Sequence, residues 1–516
     1  MRTANRRDFL ADVGKGMLIA SIGPALTADL GLAPAFAADQ PKRLLFGDRE
    51  PLVGLMQDTP ADKLLPLVVA KLKDGTDLKA LVAAAALANA RTLGGEDYVG
   101  YHAFMALAPS YQMAQEMPKE KQALPVLKVV HRNARSIQEW GGQAKEVLHP
   151  VTPAELPKDR AGGELLREAC RKGDMEGAER TFAALAKGPA GEAFNQLQLL
   201  IYEDANVHRV VLAWRAWAML DLVGKEQAHT LLRQSVHYCV DWEKFLLRKR
   251  WDPPGIRKLL PKLLDQHKLA GRPLGKRKAE DTWIERLAET VYGNDKDRAA
   301  DAVAAALAEG MAPEDVGEAI ALAANRLVLS DPGRSKEEDD EGKPEGSVHG
   351  DSHGVHASDA ANAWRNIARV SNPDNTTAGL IVAAYFTAGW SAGHLKQPYP
   401  RPEQLEKIKS KDAALLLRDA EGAIKDKDQA RAAALLHRYG ELGHPHRAVF
   451  DLLLRYAVSE DGALHAEKYY RTVTEEFAAA RPAFRWRHLV ALARVTASEY
   501  GFPAPGYAEA CKLLKV

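Results

Sequence analysis

The chain carries sixteen histidines and only three cysteines, so metal or proton-transfer chemistry must rest on imidazole and carboxylate. One group stands out: His349-Gly-Asp-Ser-His353-Gly-Val-His356-Ala-Ser-Asp359. In a helix that opens here, His356, Ala360, Ala363 and Ile367 share one stripe, so His356 points with the apolar side. His353 lies three residues earlier and Asp359 three later. Rings and a carboxylate so spaced can converge on a metal ion. They can also transfer protons, the carboxylate orienting the ring. His208 opens Val207–Leu220, a run apolar on every side that should be buried, and shares a stripe with Leu212, Arg215 and Met219. A buried ring needs a partner, and Asp204, one turn earlier, can supply it alone. His102, within Tyr101-His102-Ala-Phe-Met-Ala-Leu107, is a similar case. The expected metal set is His102, His208, His353 and His356, with His208, His356 and Asp359 as reacting groups. Iron and copper both accept imidazole, and carboxylate suits iron better.

Other motifs point elsewhere. Glu226-Gln-Ala-His229 has the spacing used by carboxylate-bridged di-iron bundles, but those need a second copy, and none is convincing. On a helical wheel Glu226, His229, Arg233, His237 and Asp241 form one polar face, expected to be solvated. His437, His444 and His446 flank a Gly-His-Pro turn and read as loop residues. Cys170, Cys239 and Cys511 are odd in number and widely spaced, which is no disulfide framework. There is no C-x-x-C-H for haem c and no C-x-x-C for a zinc ribbon. G-x-S-x-G, H-E-x-x-H, Walker A and dinucleotide fingerprints are also missing. A conventional NAD or FAD domain is therefore not expected.

The elements that must hold these residues read at helical period nearly everywhere between residues 60 and 510. Apolar stripes mark helices at 60–73, 76–92, 97–114, 174–187, 190–204, 207–223 and 226–245. Further stripes run over 279–293, 296–309, 313–330, 411–424, 427–440, 444–458, 464–479 and 482–499. Connections are short, often with Gly or Pro, and no convincing alternating β-branched run appears. The fold class is all-α: an array of antiparallel helix pairs, as a bundle or solenoid-like stack, with essentially no sheet. Two stretches break the rhythm. Residues 331–347, DPGRSKEEDDEGKPEGS, should lack order for want of anything to bury, and residues 394–403 separate a middle block from the C-terminal helices. The expected organisation is an export signal over 1–37, an N-terminal helical segment over 38–150, a central domain over 151–400 and a C-terminal domain over 401–516. Net charge is +1, with 46% hydrophobic residues. That supports a substantial core and gives no basic excess for nucleic acid. No run of about 18 apolar residues follows the N-terminus, so no transmembrane span is expected.

The first forty residues carry Arg6-Arg7-Asp8-Phe9-Leu10, a weakly apolar stretch, and Ala35-Phe36-Ala37. This resembles a twin-arginine export signal cleaved after Ala37. The resemblance implies passage through the twin-arginine translocase to the periplasm or beyond. That route carries folded proteins, many of them already loaded with a cofactor.

Three patches also resemble the questin oxidase-like family, all-helical proteins that include oxygenases cleaving aromatic polyketide rings. They are Tyr101–Leu107, His208 at the head of its apolar helix, and Val355-His356-Ala-Ser-Asp359-Ala-Ala-Asn362-Ala-Trp364, within a similarity spanning residues 80–390. The resemblance implies an oxidoreductase with His102, His208, His353 and His356 near the reacting centre. The export signal departs from those intracellular enzymes and argues against a nicotinamide-dependent reaction. Together these features predict an exported metal-dependent oxidoreductase acting on a small molecule. The competing expectation is a non-catalytic helical-repeat protein that binds a partner in the cell envelope. Stoichiometric metal distinguishes the two.

Overall fold

Helix starts follow local capping chemistry. Asp77, Asp174, Asn206, Ser352 and Asn372 each precede a helix and accept a backbone N–H from its first turn. Between these starts the Ala- and Leu-rich stripes bury themselves against one another. The computed structural model describes residues 42–95, 98–340 and 342–516; the expected export signal lies outside them. The structure is 71% helical, with 23 α-helices and no strand among the described residues. No helix among them is long and apolar enough to cross a membrane.

Ten helices, α1–α10 in chain order, build or border the centre. They are α1 (Leu78–Leu93), α2 (Tyr98–Glu116), α3 (Ala123–Glu139), α4 (Met175–Leu185) and α5 (Val207–Val223). Next come α6 (Ala228–Lys249), α7 (Pro313–Ser330), α8 (His353–Val370), α9 (His465–Ala479) and α10 (Arg485–Glu499). Four of them close a ring: α2 packs on α5, α5 on α8, α8 on α9, and α9 back on α2. Small or apolar residues are buried on three of these helices. In α2 these are Ala103 to Leu107; in α5, Val211, Leu212 and Ala216; in α8, Val355, Ala357 and Ala360. Close approach is enforced at Gly354, where a Cβ would stand 2.6 Å from the Val328 backbone nitrogen of α7.

Residues Leu44–Val516 pack as one compact unit. The expected divisions near 150 and 400 fall in connections that bond back onto helices. Val147 N–H donates to the Arg91 carbonyl, and Leu395 and Tyr399 donate to the Ser330 and Leu329 carbonyls at the end of α7. Of residues 331–347, expected to lack order, the described ones form a hydrogen-bonded excursion in which Arg334 meets Gly346 and Ser347. Arg334 N–H donates to the Ser347 carbonyl and Gly346 N–H to the Arg334 carbonyl. Two of its charges turn inward: Arg334 and Lys343 both reach the buried carboxylate of Asp351, at 3.2 and 2.8 Å.

Candidate functional site

Each helix of the ring delivers one histidine to its interior. His102 sits in the second turn of α2 and His208 in the first turn of α5. Asn206 caps that turn by accepting the His208 N–H at 2.9 Å. His356 lies in the first turn of α8, and His465 is the first residue of α9. The rings face one another in two pairs. His102 Nε2 and His208 Nε2 are 3.0 Å apart, and His356 Nε2 and His465 Nε2 are 3.2 Å apart. The pairs are themselves adjacent. Around the cycle His102–His208–His356–His465 the ring centroids are 5.0, 5.6, 5.2 and 4.9 Å apart. His102, His356 and His465 are buried, and His208 is half-buried.

Burial first, then the nearby Lys468 ammonium and the neighbouring imidazoles, hold His102 and His465 well below the ordinary histidine range. Both are therefore neutral at neutral pH. The tautomer of His465 follows from a second bond: its Nδ1 faces the Ala463 carbonyl at 3.1 Å. A carbonyl only accepts, so Nδ1 carries the hydrogen and Nε2 the lone pair. Within its pair, His356 Nε2–H then donates to His465 Nε2. The Ala463 carbonyl is aimed by an unusual turn. Gly462, Ala463 and Leu464 have φ of 50°, 47° and 66°, three successive left-handed residues immediately before α9.

Aromatic rings and charged side chains surround the cycle. Tyr101 lies 5.1 Å from both His102 and His208, ring to ring. Tyr238 of α6 lies 5.3 Å from Tyr101, and its hydroxyl donates to Asn206 Oδ1 at 3.3 Å. On the opposite side His349 is 6.3 Å from His465 and meets Asp351 at 3.2 Å. Burial alone would raise the Asp351 carboxyl, but His349 and Lys343 outweigh it and hold it far below the usual range.

One or two helical turns from the histidines lie three more buried groups. Asp359 of α8 follows His356 by three residues, Lys468 of α9 follows His465 by three, and Arg215 of α5 follows His208 by seven. Asp359 accepts from Thr472 Oγ1 at 2.8 Å; burial raises its carboxyl against the pull of Lys468. Burial brings the Lys468 ammonium down to about 8, with Asp359 opposing.

Of the residues expected from sequence, His102, His208 and His356 meet, and Asp359 stands one turn from them. His353 does not join. It is exposed, and its ring stacks on Trp390 at 4.1 Å. The fourth ring is His465, which sequence reasoning passed over. His465, Lys468 and Thr472 are all buried in the structure, but no local sequence pattern marks His465. As they stand, the rings are bonded in pairs. Among the described residues no group of three or more His, Cys, Asp or Glu side chains is arranged to hold a metal ion.

The Glu226–Asp241 face departs from expectation. Glu226 is exposed, but His237 and Arg233 are buried. They are covered by α4, whose Glu179 takes His237 Nε2 at 2.6 Å and the Arg233 guanidinium, while Arg233 also donates to the His149 carbonyl at 2.8 Å. At Arg233 and His237, another helix rather than water satisfies this polar face. No protein-family model, curated protein or solved structure matches the chain.

Proposed function

We propose that the four-histidine centre takes up one iron or copper ion and that the chain is an exported metal-dependent oxidoreductase acting on a small molecule. One observation carries this reading: four imidazoles from four different helices face each other around one point in the core. Nitrogens bound to a single tetrahedral ion at about 2.0–2.1 Å stand roughly 3.3–3.4 Å apart. The facing pairs, at 3.0 and 3.2 Å, lie just inside that spacing. Depressed basicity favours the reading too, because a metal takes only the neutral ring. Uptake requires the two pairs to open slightly and draw together, and it requires His356 to move its hydrogen from Nε2 to Nδ1. His465 needs no such shift, since the Ala463 carbonyl already holds its hydrogen on Nδ1.

A bound ion would supply electron transfer and polarisation of a coordinated substrate. The chain's own contribution is separate. The apolar walls of α2, α5 and α8 exclude water, and half-buried His208 marks the side from which a small molecule approaches. The test is elemental analysis and a visible spectrum of protein recovered from its own export route. About one iron or copper per chain is expected, with uptake abolished in His356→Ala and His465→Ala. Protein that carries no metal and binds none on titration with Fe(II) or Cu(II) would overturn the reading in favour of a helical-repeat binding protein of the envelope. The export half is tested by replacing Arg6 and Arg7 with lysine. This should leave the full-length precursor in the cytoplasm, and continued appearance of a mature N-terminus near residue 38 would refute it.

A further inference from the structure

Buried cations normally find a partner, because an unpaired charge in the interior is costly. Arg215 and Lys468 break that rule. Both are buried, at 3% and 2% exposure, and neither makes a hydrogen bond or an ion pair with any described residue; Arg215 Nε is wholly unpartnered. The acidic groups nearby are already committed. Glu475 is bonded to Arg471 and to Asn366, and Glu467 is paired with Lys128. Asp359, whose carboxyl feels both cations, accepts from Thr472. Two cations against one carboxylate leave a surplus positive charge beside four imidazoles, of which His102 and His465 are neutral.

We propose that Arg215 and Lys468 form a subsite for a carboxylate, the anionic end of a small organic acid, in the interior of the four-helix ring next to the histidine centre. Helical register aims both there: Arg215 lies on the stripe of His208, and Lys468 one turn beyond His465. A guanidinium presents a planar fork that matches a carboxylate in two bonds, and an ammonium adds a point charge. Residues that carry such a charge surplus are fitted to receive an anion rather than to release one. The subsite names a substrate class for the oxidoreductase reading, but binding the anion needs no ion at the histidines.

The test titrates the full-length protein with sodium formate, against sodium chloride at the same ionic strength, and follows the melting temperature and the heat of binding. Wild type should show a saturable rise in melting temperature with formate and none with chloride. Arg215→Gln and Lys468→Met should each weaken formate at least tenfold, while Lys468→Arg stays closer to wild type. Both neutral variants should melt higher than wild type without formate, because an unpaired cation has gone. His356→Ala should lose metal yet keep formate affinity, which separates this subsite from the metal reading. The proposal is overturned if formate acts no differently from chloride, if the neutral variants bind as wild type does, or if they fold less well than wild type.

Discussion

Two of the buried histidine sites in this fold are opposites. On α6, His237 meets the Glu179 carboxylate while Arg233 closes the same oxygen from another side. Burial alone would raise Glu179, but His237 and Arg233 outweigh it and hold the carboxyl at about 2. Every charge there has its counter-charge, so the group is complete and fastens α4 to α6. In the ring of α2, α5, α8 and α9, imidazole meets imidazole and the nearest cations have no bonded partner. Burial of a polar ring is common to both. The difference lies in what satisfies it: a carboxylate in the structural joint, another imidazole in the ring, where the proposed ligand would bind.

The sharpest test of that contrast is metal content. His208→Ala, His356→Ala and His465→Ala should each lower bound iron or copper by at least about tenfold, with the helical circular dichroism unchanged. His237→Ala should leave the metal untouched. Equal loss in both groups would erase the distinction. Stability should show the reverse order. Glu179→Ala strands Arg233 and His237 in the interior and should cost about 3 kcal/mol in urea unfolding, with no change in metal content.

Acid should find the structural joint through the same carboxylate. Its folded-state value lies below the unfolded one, so its stabilisation is complete above about pH 4.5 and fades as pH falls toward about 2. After allowance for solvent screening, about 2 kcal/mol should disappear over that window. The loss should be absent in Glu179→Gln. A smaller effect belongs to the left-handed turn: Ala463→Gly removes the side chain that disfavours φ of 47° and should stabilise by about 1 kcal/mol in thermal melts. Least of all, Glu226→Ala on the exposed end of the face should stay within about 0.5 kcal/mol of wild type.

Much of the scaffold is legible in the sequence because long apolar stripes with capping residues leave little choice. The stripe over 207–223 becomes Val207–Val223, and that over 313–330 becomes Pro313–Ser330. The helix Ala123–Glu139 escaped notice because Lys128, Asn133 and Ser136 occupy its buried side. Lys128 is accommodated by tertiary partners more than 300 residues away, the carbonyls of Ala457 and Glu460 and the carboxylate of Glu467. The site was legible in part. His102 and His208 stood out as polar residues in wholly apolar helices, and His356 by its stripe. His465 sits at a helix start behind a turn no periodicity describes, so nothing local marked it. His353 shows the converse error. Spacing of three residues from His356 suggested a shared face, but at the first helical position its ring swings out onto Trp390.

The histidine partners are far apart along the chain: 106 residues separate His102 from His208, and 109 separate His356 from His465. No fragment or half-made chain can assemble the cycle, because each wall of the ring comes from a different stretch of sequence. Ring closure therefore carries the loop-closure cost of contacts of long sequence separation. On the proposed reading, an ion that needs all four walls would be captured only by a finished molecule. On that reading, the compartment in which the chain completes its fold would decide which metal it meets, and selection would be exercised by timing and place as much as by ligand chemistry.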